Sequence, residues 1–372
     1  MIDLFKEFVN IASEPIISFT VLTILFPLIF PPTNWFEKIH YKLGFNYIWT
    51  NKGGIVMFLL TTIFFILGFT DPYFSIILTK PDNFPIILMI YSMLFVIWYA
   101  MKKAYINDTR ICEGKKPMEY NDPEDKVLVW PDLVYIEFIA LLIFMAFLII
   151  WSIVLAAPLE EPANAASTPN PSKAPWYFLG LQEMLVYFDP WIAGILFPIF
   201  IIIGTSAIPY MDINKKGNGY YSFRERRVGI FIFLYGWAAL WLYLIVIGTF
   251  FRGPNWNFYG PFEWWNPHKL EVLNNINLSE YFWVIMLEQP LPSNVIIRES
   301  IGFVVTGLYL FVLPILLART YLKNMFEDYG PIRYVFLMIL GLSMLSLPIK
   351  MYLRWFFNLK YIVAIPEYFF NI

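Results

Sequence analysis

Residues 170–210, NPSKAPWYFLGLQEMLVYFDPWIAGILFPIFIIIGTSAIPY, decide how this chain is built. A polar loop leads to Pro175, which suits the first turn of a helix because its missing N–H costs nothing there. A short aromatic helix follows and ends at Asp189-Pro190, where an apolar run long enough to cross a membrane begins. A helix that folds back from a water-side loop onto lipid can form one wall of a pocket for a flat, apolar ligand.

The composition is typical of an integral membrane protein. Of the 372 residues, 59% are hydrophobic and only 15% are charged, whereas soluble domains carry about 25% charged residues. The net charge of -2 provides no basic surface for nucleic acid. The single cysteine, Cys112, excludes an internal disulfide.

Seven apolar runs come close to the roughly 20 residues that a helix needs to cross a bilayer. Helix is the spanning element expected here, because lipid cannot satisfy free backbone polar groups. An eighth run, 16–30, is bracketed and interrupted by prolines and predicts a further span, with a re-entrant or surface helix as the alternative. The prediction is an all-α integral membrane protein with seven or eight transmembrane helices and a short amphipathic helix in an outer loop. The seven runs are residues 55–71, 84–101, 133–156, 190–208, 228–250, 301–319 and 334–349.

Lysine and arginine residues divide unequally between the two sides that alternating spans create. One side holds 17 of them and the other holds 9, although the loops of the second side are longer. Cytoplasmic loops carry an excess of these residues. The first side is therefore predicted to be cytoplasmic, and the aromatic segment 169–187 to face outward. The bias is weakest at the C-terminal end of the chain.

The charged segment 102–131 divides the chain. Before it lies an N-terminal extension, 1–101, with two or three membrane helices. After it lie a membrane domain, 132–320, and an additional C-terminal helix and tail, 321–372. The second outer loop, 251–297, is rich in tryptophan and tyrosine, which favours a position at the lipid headgroups, with a partner interface as the alternative.

The aromatic helix has one distinctive face. Trp176, Gly180 and Glu183 are spaced i, i+4 and i+7, which places them together, with Tyr177 on an adjoining face. Ser172 is a candidate cap. Gly180 removes a side chain, so another group could approach the helix closely there. The alternative is an interfacial anchoring helix that binds no ligand.

Glu183 is an acid on an aromatic helix that faces the membrane, which is costly unless the acid is partnered or functional. Three interpretations stay open: Glu183 accepts a proton in a reaction, faces water, or pairs with an arginine of a partner chain. The two histidines, His40 and His268, fall in loops on opposite sides. They cannot supply the four ligands of two transmembrane haems, and no metal site is predicted.

Several phrases of the sequence, in order along the chain, carry a resemblance to a known family: WPDLVYIEFIALL, APWYFLGLQEMLVYFDPWIAG, NGYYSFRERR, GTFFRGPNW and FNLKYIVAIPEYFFNI. Residues 132–320 resemble the C-terminal half of cytochrome b, which also exists separately as subunit IV of the cytochrome bf complex. Residues 174–179, APWYFL, match the family's PEWYFL motif. The longer phrases are similar to the second, haemless cytochrome b subunit of bacterial bc complexes.

The resemblance implies a subunit of a quinol–cytochrome c oxidoreductase in the bacterial cytoplasmic membrane. The chain would form part of the outer-side quinol-oxidation site and contribute to electron transfer coupled to proton release, an activity expected of the complex rather than of this chain alone. Quinol or quinone would occupy a shared site, against Trp176, Tyr177 and Phe178 with Pro175 and Gly180. The haems b and an iron–sulfur cluster would lie on partner chains. Those partners are a haem-bearing cytochrome b half, a Rieske iron–sulfur protein and a c-type cytochrome, in a dimeric complex embedded in lipid.

One departure from the family concerns the proton. The motif glutamate, which serves the family as a quinol partner and proton acceptor, aligns here with Pro175. The role would fall to Glu183, to Asp189, to a residue of a partner chain or to water. Replacing Glu183 by glutamine is then expected to slow quinol oxidation and leave assembly intact. The alternative function is a structural or assembly subunit of a respiratory complex with no quinol site of its own.

Overall fold

The computed structural model describes residues 2–121, 127–155, 162, 164–166, 168–213, 219–271 and 273–372. Among these residues, seven helices are long and apolar enough to cross a membrane, and each lies on one of the seven apolar runs, so the prediction of a helical multi-pass membrane protein is confirmed. The helices are α1 (Ile2–Ala12), α2 (Pro15–Ile29), α3 (Asn34–Lys42), α4 (Asn51–Thr70), α5 (Phe74–Leu78), α6 (Phe84–Cys112), α7 (Val129–Val154), α8 (Trp176–Met184), α9 (Ile192–Met211), α10 (Arg224–Phe251), α11 (Ser300–Arg319) and α12 (Lys323–Phe357). The seven of spanning length are α4, α6, α7, α9, α10, α11 and α12.

Short elements occupy the connections. Two short strands, β1 (Ala364–Ile365) and β2 (Phe370–Asn371), pair antiparallel in the C-terminal tail. The remaining helical turns are Phe45–Trp49, Met118–Asn121, Pro254–Trp256, Leu278–Glu280, Tyr281–Met286, Val295–Arg298 and Pro366–Tyr368.

The eighth predicted span, 16–30, forms α2, which meets α1 at a bend of 73°. Helix α2 lies inside the bundle: Phe19 and Phe26 are buried, and Ser18 Oγ is 2.8 Å from the Tyr243 hydroxyl of α10. This burial argues against a surface helix. At 15 residues α2 is about 22 Å long, shorter than the roughly 30 Å hydrocarbon core. By length and composition, the described residues hold up to eight spans if the bent pair of α1 and α2 counts as one span.

One end of the bundle, here called the inner end, is joined by polar contacts among segments predicted to share the cytoplasmic side. Arg224 Nε donates to Glu37 Oε1 at 2.6 Å. The Asp108 carboxylate accepts from Ser222 Oγ at 2.6 Å and from the N–H of Phe223 at 3.1 Å. Segments that the charge bias assigned to one side therefore meet at one end of the fold.

The opposite end, here called the outer end, carries α8 and the docked helix α1. Lys6 Nζ lies 2.6 Å from Asp71 Oδ2. The N–H of Phe262 donates to Asn10 Oδ1 at 2.9 Å, which attaches α1 to the second outer loop. Gly260 is needed for this contact, because a Cβ there would lie 2.5 Å from Asn10 Cγ.

Helix α12 is broken at Gly330, where φ is +73°. Glycine adopts this left-handed conformation at little steric cost, and Pro331 follows directly. The remainder of α12, 331–357, extends beyond the predicted run 334–349 and carries the buried Lys350 toward the outer end. At roughly 40 Å in length it is long enough to span.

The N-terminal extension, 1–101, shares its hydrophobic core with the rest of the chain. Phe26 packs on Tyr235 with ring centroids 5.2 Å apart. A second cluster toward the outer end joins Phe74 to Phe250, with centroids 6.3 Å apart. The extension is therefore packed into the bundle that also holds α10 and α12.

Helix α6 continues past the apolar run 84–101 as far as Cys112. The first part of the charged segment 102–131 is therefore helical, and its buried Asn107 and Asp108 belong to the inner end of the bundle. Residues 122–126 of that segment lie outside the described part of the chain.

Helix α7, the first of the 132–320 domain, stands apart from the bundle. No residue of its membrane-spanning window is buried. It meets α6 where Phe84 and Trp151 lie with ring centroids 5.4 Å apart. The exposed apolar surface of this helix has to be covered by lipid or by another chain.

Candidate functional site at the outer end

Helix α8 begins where the sequence indicates, with Pro175 before Trp176–Met184. The predicted cap is wrong, because no side chain caps the helix N-terminus and Ser172 contributes only its carbonyl. Gln182 folds back to the loop instead. Its Oε1 accepts from the N–H of Ala174 at 2.7 Å, and its Nε2 donates to the Ser172 carbonyl at 2.9 Å. This clamp fixes the preceding loop to α8.

The face of α8 that holds Gly180 packs on α10 of the same chain. Gly180 is buried, and a Cβ there would lie 3.3 Å from Ile245 Cγ1. Gly248 of α10 faces back, where a Cβ would lie 2.6 Å from Leu179 Cδ2. The group that approaches closely at Gly180 is therefore α10 of the same chain.

Glu183 lies on the same face, and its exposed fraction is 0%. Arg252, directly after α10, donates from Nη2 to Glu183 Oε1 at 2.5 Å and from Nε to Oε2 at 2.9 Å. The indole Nε1 of Trp256 donates to Oε2 at 3.1 Å. In this structure Glu183 thus neither faces water nor depends on an arginine of another chain, because its partner is Arg252.

The Glu183–Arg252 pair has the geometry that makes buried ion pairs persist. The two parallel N–H···O bonds are charge-assisted, and the Trp256 carbonyl accepts from Arg252 Nη1 at 3.0 Å. Burial alone would lower the pKa of Arg252, but the Glu183 carboxylate outweighs burial and the pKa is raised. The hydrogen-bonding capacity of Glu183 is largely satisfied within the chain, so it would have to lose Arg252 before it could accept a proton.

The predicted aromatic wall is divided between two faces of α8. Trp176 turns inward and packs on the cluster that contains Phe250 and Phe262. Tyr177 and Phe178 turn outward, 50% and 52% exposed, with ring centroids 4.8 Å apart. Two adjacent rings therefore remain free to contact a ligand or another chain.

Lys173, in the loop before α8, is held against the outer end of α10. Its Nζ donates to the Thr249 carbonyl at 2.8 Å and lies 4.8 Å from the centroid of the Trp265 ring. Burial, assisted by the positive charge of Lys80, lowers the pKa of Lys173 to about 7. This places a partly desolvated amine two residues from Pro175.

Asp189, the other acid considered for the proton, marks the contact between α8 and the C-terminal tail. Its Oδ2 accepts from Asn371 Nδ2 at 2.8 Å. Lys360 Nζ donates to the carbonyls of Leu185 and Val186 at 3.0 and 3.1 Å. A cation is favourable at the C-terminal end of a helix, so Lys360 of the tail stabilises the C-terminal end of α8.

The two histidines lie at opposite ends of the bundle. His40 is buried at the inner end, where Nδ1 is 2.8 Å from the Leu28 carbonyl and burial lowers its pKa. His268 is exposed in the second outer loop. The two histidines are therefore too far apart to be two ligands of one haem. Within the described ranges, no group of three or more His, Cys, Asp or Glu side chains could hold a metal ion.

Sequence reasoning missed Arg252 and Lys173 as site residues. The phrase GTFFRGPNW contained a signal for Arg252, because an arginine directly after an apolar span needs an acid or water. Lys173 carried no such signal, since its desolvation depends on where α10 and the second outer loop pack.

No protein-family model matches the chain, and no solved structure matches it.

Proposed function

We propose that this chain is the haemless, C-terminal cytochrome b subunit of a quinol–cytochrome c oxidoreductase and forms part of a quinol-oxidation site at the outer end of the bundle. The observation that supports this most is the pair of exposed rings, Tyr177 and Phe178, on a helix whose opposite face is anchored by Gly180 and Glu183. Rigid aromatic rings at a membrane surface suit a flat, apolar ligand with polar edges.

The residues of α8 have different roles in this proposal. Tyr177 and Phe178 contact the quinol ring, whereas Pro175, Trp176 and Gly180 position them by starting the helix and packing it on the bundle. Glu183 is a positioning residue, because its carboxylate is bound to Arg252. Haems and an iron–sulfur cluster on partner chains would supply the redox chemistry, and this chain would bind and orient the substrate.

Two features support a multi-chain assembly. Helix α7 has no buried residue in its spanning window, and the exposed rings of α8 lack a second wall among the described residues. A haem-bearing cytochrome b half would cover these surfaces, with a Rieske protein and a c-type cytochrome at the outer end. The charge bias favours an outer end that faces away from the cytoplasm.

The same exposed α7 also favours the second candidate, a structural subunit that binds lipid and partner chains but no quinol. The test uses the intact complex purified from its membranes, with quinol-dependent reduction of cytochrome c as the assay. Tyr177→Ala and Phe178→Ala should raise the KM for short-chain quinol analogues several-fold without changing the melting midpoint. Trp264→Ala is the matched control, because Trp264 is an exposed ring of the same end, 57% exposed.

The outcomes separate the candidates. The complex could contain haem-bearing partners and oxidise quinol with the same KM in wild type, Tyr177→Ala and Phe178→Ala. That result would favour the structural subunit. A complex that contains this chain and cannot oxidise quinol would overturn the proposal. A quinol-site inhibitor that shifts the iron–sulfur signal in the wild-type complex, and shifts it less in the variants, would support it.

A further inference from the structure

We propose that a groove between α6, α9 and α10 at the inner end of the bundle binds one phospholipid, with the lipid's phosphate held at Arg226. The site lies at the opposite end from α8 and does not depend on the proposed quinol chemistry. The groove has a volume of about 1170 Å³, larger than the roughly 300–1,000 Å³ of small-molecule pockets. This size favours an extended occupant.

The groove is apolar along most of its length and opens sideways. Its floor contains the buried residues Met101 and Ala104 of α6 and Leu234 of α10. Val96 and Phe233, which also line it, are exposed. Water gains little in such a surface, whereas acyl chains cover it favourably. A lipid here would fill the space between the N-terminal extension, through α6, and the membrane domain.

The depth of the groove matches one leaflet of a bilayer. Its lining runs along α6 from Ala104 to Met93 and along α10 from Val228 to Trp237, which are about 16 Å and about 14 Å of helix. Half of the hydrocarbon core measures about 15 Å. At the far end Trp237 Nε1 donates to Met93 Sδ at 3.3 Å and joins the two helices. The apolar lining therefore ends near the depth at which an acyl chain ends.

The charged side chains that line the groove are gathered at its inner mouth, where Arg226 and Arg227 lie with Asp212 and Glu225. Arg227 is bound within the protein, because its Nη1 is 3.2 Å from an oxygen of Glu37. Arg226 Nη1 donates to Asp212 Oδ2 at 2.9 Å, and the Arg226 side chain is 43% exposed. A guanidinium carries five donors and can bind a phosphate through two of them. Arg226 is thus accessible to a headgroup at the mouth.

Lys103 provides a second cation on the α6 side of the mouth. Its Nζ lies 5.6 Å from the centroid of the Tyr221 ring, which lines the groove. Arg226 stands on the α10 side. An anionic group between two cations is favoured by Coulomb attraction, so the mouth suits a phosphate better than the uncharged head of a quinone or a diacylglycerol.

The test uses the intact complex, reconstituted in vesicles of phosphatidylethanolamine and phosphatidylglycerol. The vesicles contain a trace of a phospholipid with a photoreactive diazirine in its acyl chain. After a detergent wash that removes bulk lipid, illumination and peptide mass spectrometry locate the label. We expect label on Met101, at the buried floor, and loss of most label from Ile143, an exposed residue of α7 that contacts bulk lipid.

A comparison of lipids in the wild-type complex tests the phosphate and needs no variant. A diacylglycerol with the same acyl chains and diazirine should label Met101 several-fold less than either phospholipid, because it has no charge for Arg226 to bind. Equal labelling by diacylglycerol and phospholipid would overturn the inference. Displacement of the label by a short-chain quinone would also overturn it and would assign the groove to a quinone.

Gly229 allows the groove to be blocked from within. It lines the groove, and a Cβ there would meet nothing within 4 Å, so Gly229→Phe should occupy the space meant for the lipid and abolish the label on Met101. Gly307→Phe is the matched control, because a Cβ at Gly307 of α11 also meets nothing within 4 Å. The control should be labelled like the wild type.

Substitutions of Arg226 test its contact with the phosphate. Arg226→Gln should reduce phospholipid labelling of Met101 to the diacylglycerol level, whereas Arg226→Lys should retain much of it. Arg319→Gln, which changes an exposed arginine at the end of α11, should have no effect.

The remaining outcomes also decide the inference. Absence of label on Met101 in the wild-type complex would overturn it, and a cross-link from the groove to another chain would assign the space to a partner helix. Label that persists in Gly229→Phe would mean that the lipid lies elsewhere. None of these results concerns Tyr177 or Phe178, so the proposed function is tested separately.

Discussion

Arg252 and Glu183 lie 69 residues apart in the chain and form a buried, bidentate ion pair, with Nη2 2.5 Å from Oε1. The pair joins α8 to the end of α10. Trp256 hydrogen-bonds to both partners: its carbonyl accepts from Arg252 and its indole N–H donates to Glu183. Because neither charge reaches water freely, each depends on the other to remain buried. The position of the aromatic helix therefore depends on an arginine in a distant loop.

Replacing Glu183 by glutamine should destabilise the protein. The substitution keeps the size of the side chain but leaves Arg252 buried without a counter-charge, which costs about 3–5 kcal/mol. We expect a lower melting midpoint of the purified complex, in contrast to the intact assembly predicted from sequence. The double variant Glu183→Leu with Arg252→Met should recover much of the loss, because it removes both charges. Equal midpoints for wild type and Glu183→Gln would contradict this account.

Trp176 and Phe178 should respond differently to alanine although they are two residues apart. Trp176 packs on the outer cluster, so its removal should cost about 2 kcal/mol, less than the 3–5 kcal/mol of a fully buried ring. Phe178 is 52% exposed, and Phe178→Ala should change stability by no more than about 0.5 kcal/mol. Thermal unfolding of both variants checks the order, and a reversed order would mean that Trp176 does not face the bundle.

The two glycines between α8 and α10 should also differ. A Cβ at Gly248 would lie 2.6 Å from Leu179 Cδ2, whereas one at Gly180 would lie 3.3 Å from Ile245 Cγ1. Gly248→Ala should therefore cost about 1–3 kcal/mol through overpacking, and Gly180→Ala should cost less. Gly307→Ala is the matched control, since a Cβ there meets nothing within 4 Å. A neutral Gly248→Ala would show that the helices are not in close contact.

Docking of α1 should be lost in acid. Burial raises the pKa of Asp71, but the bonds from Lys6 and from the N–H groups of Phe74 and Tyr73 outweigh it, so the pKa lies below its ordinary 3.8. A carboxyl with a depressed folded pKa contributes stability above its unfolded pKa and loses it as the pH falls through the folded value. Pepsin should therefore begin to cleave α1 as the pH falls below about 4.

The matched substitutions test the same contact without a change of pH. Asp71→Asn removes the charge that Lys6 pairs with and should increase hydrogen exchange in α1 at neutral pH. Glu7→Gln, an exposed acid of the same helix, should leave exchange unchanged. Identical exchange in Asp71→Asn and wild type would mean that other contacts of α1, such as the one through Asn10, are sufficient.

The sequence by itself determined the elements of this protein. Apolar runs of spanning length predicted seven helices that the structure contains, because hydrophobicity and length are local properties that a bilayer selects directly. Prolines 175 and 190 bracketed the segment that holds α8, since proline restricts the backbone wherever it occurs. The spacing of Trp176, Gly180 and Glu183 also predicted that these three residues share one face of α8, because helical periodicity is local.

Only the tertiary structure decided what those elements meet. The partner of Glu183 lies in another loop, Trp176 turns inward while Tyr177 stays exposed, and Lys173 loses solvent only when α10 and the second outer loop cover it. The extension enters the common core through Phe26, which no local pattern required. Such contacts join residues far apart in sequence, and their geometry follows from the packing of whole helices, so a linear pattern cannot specify them.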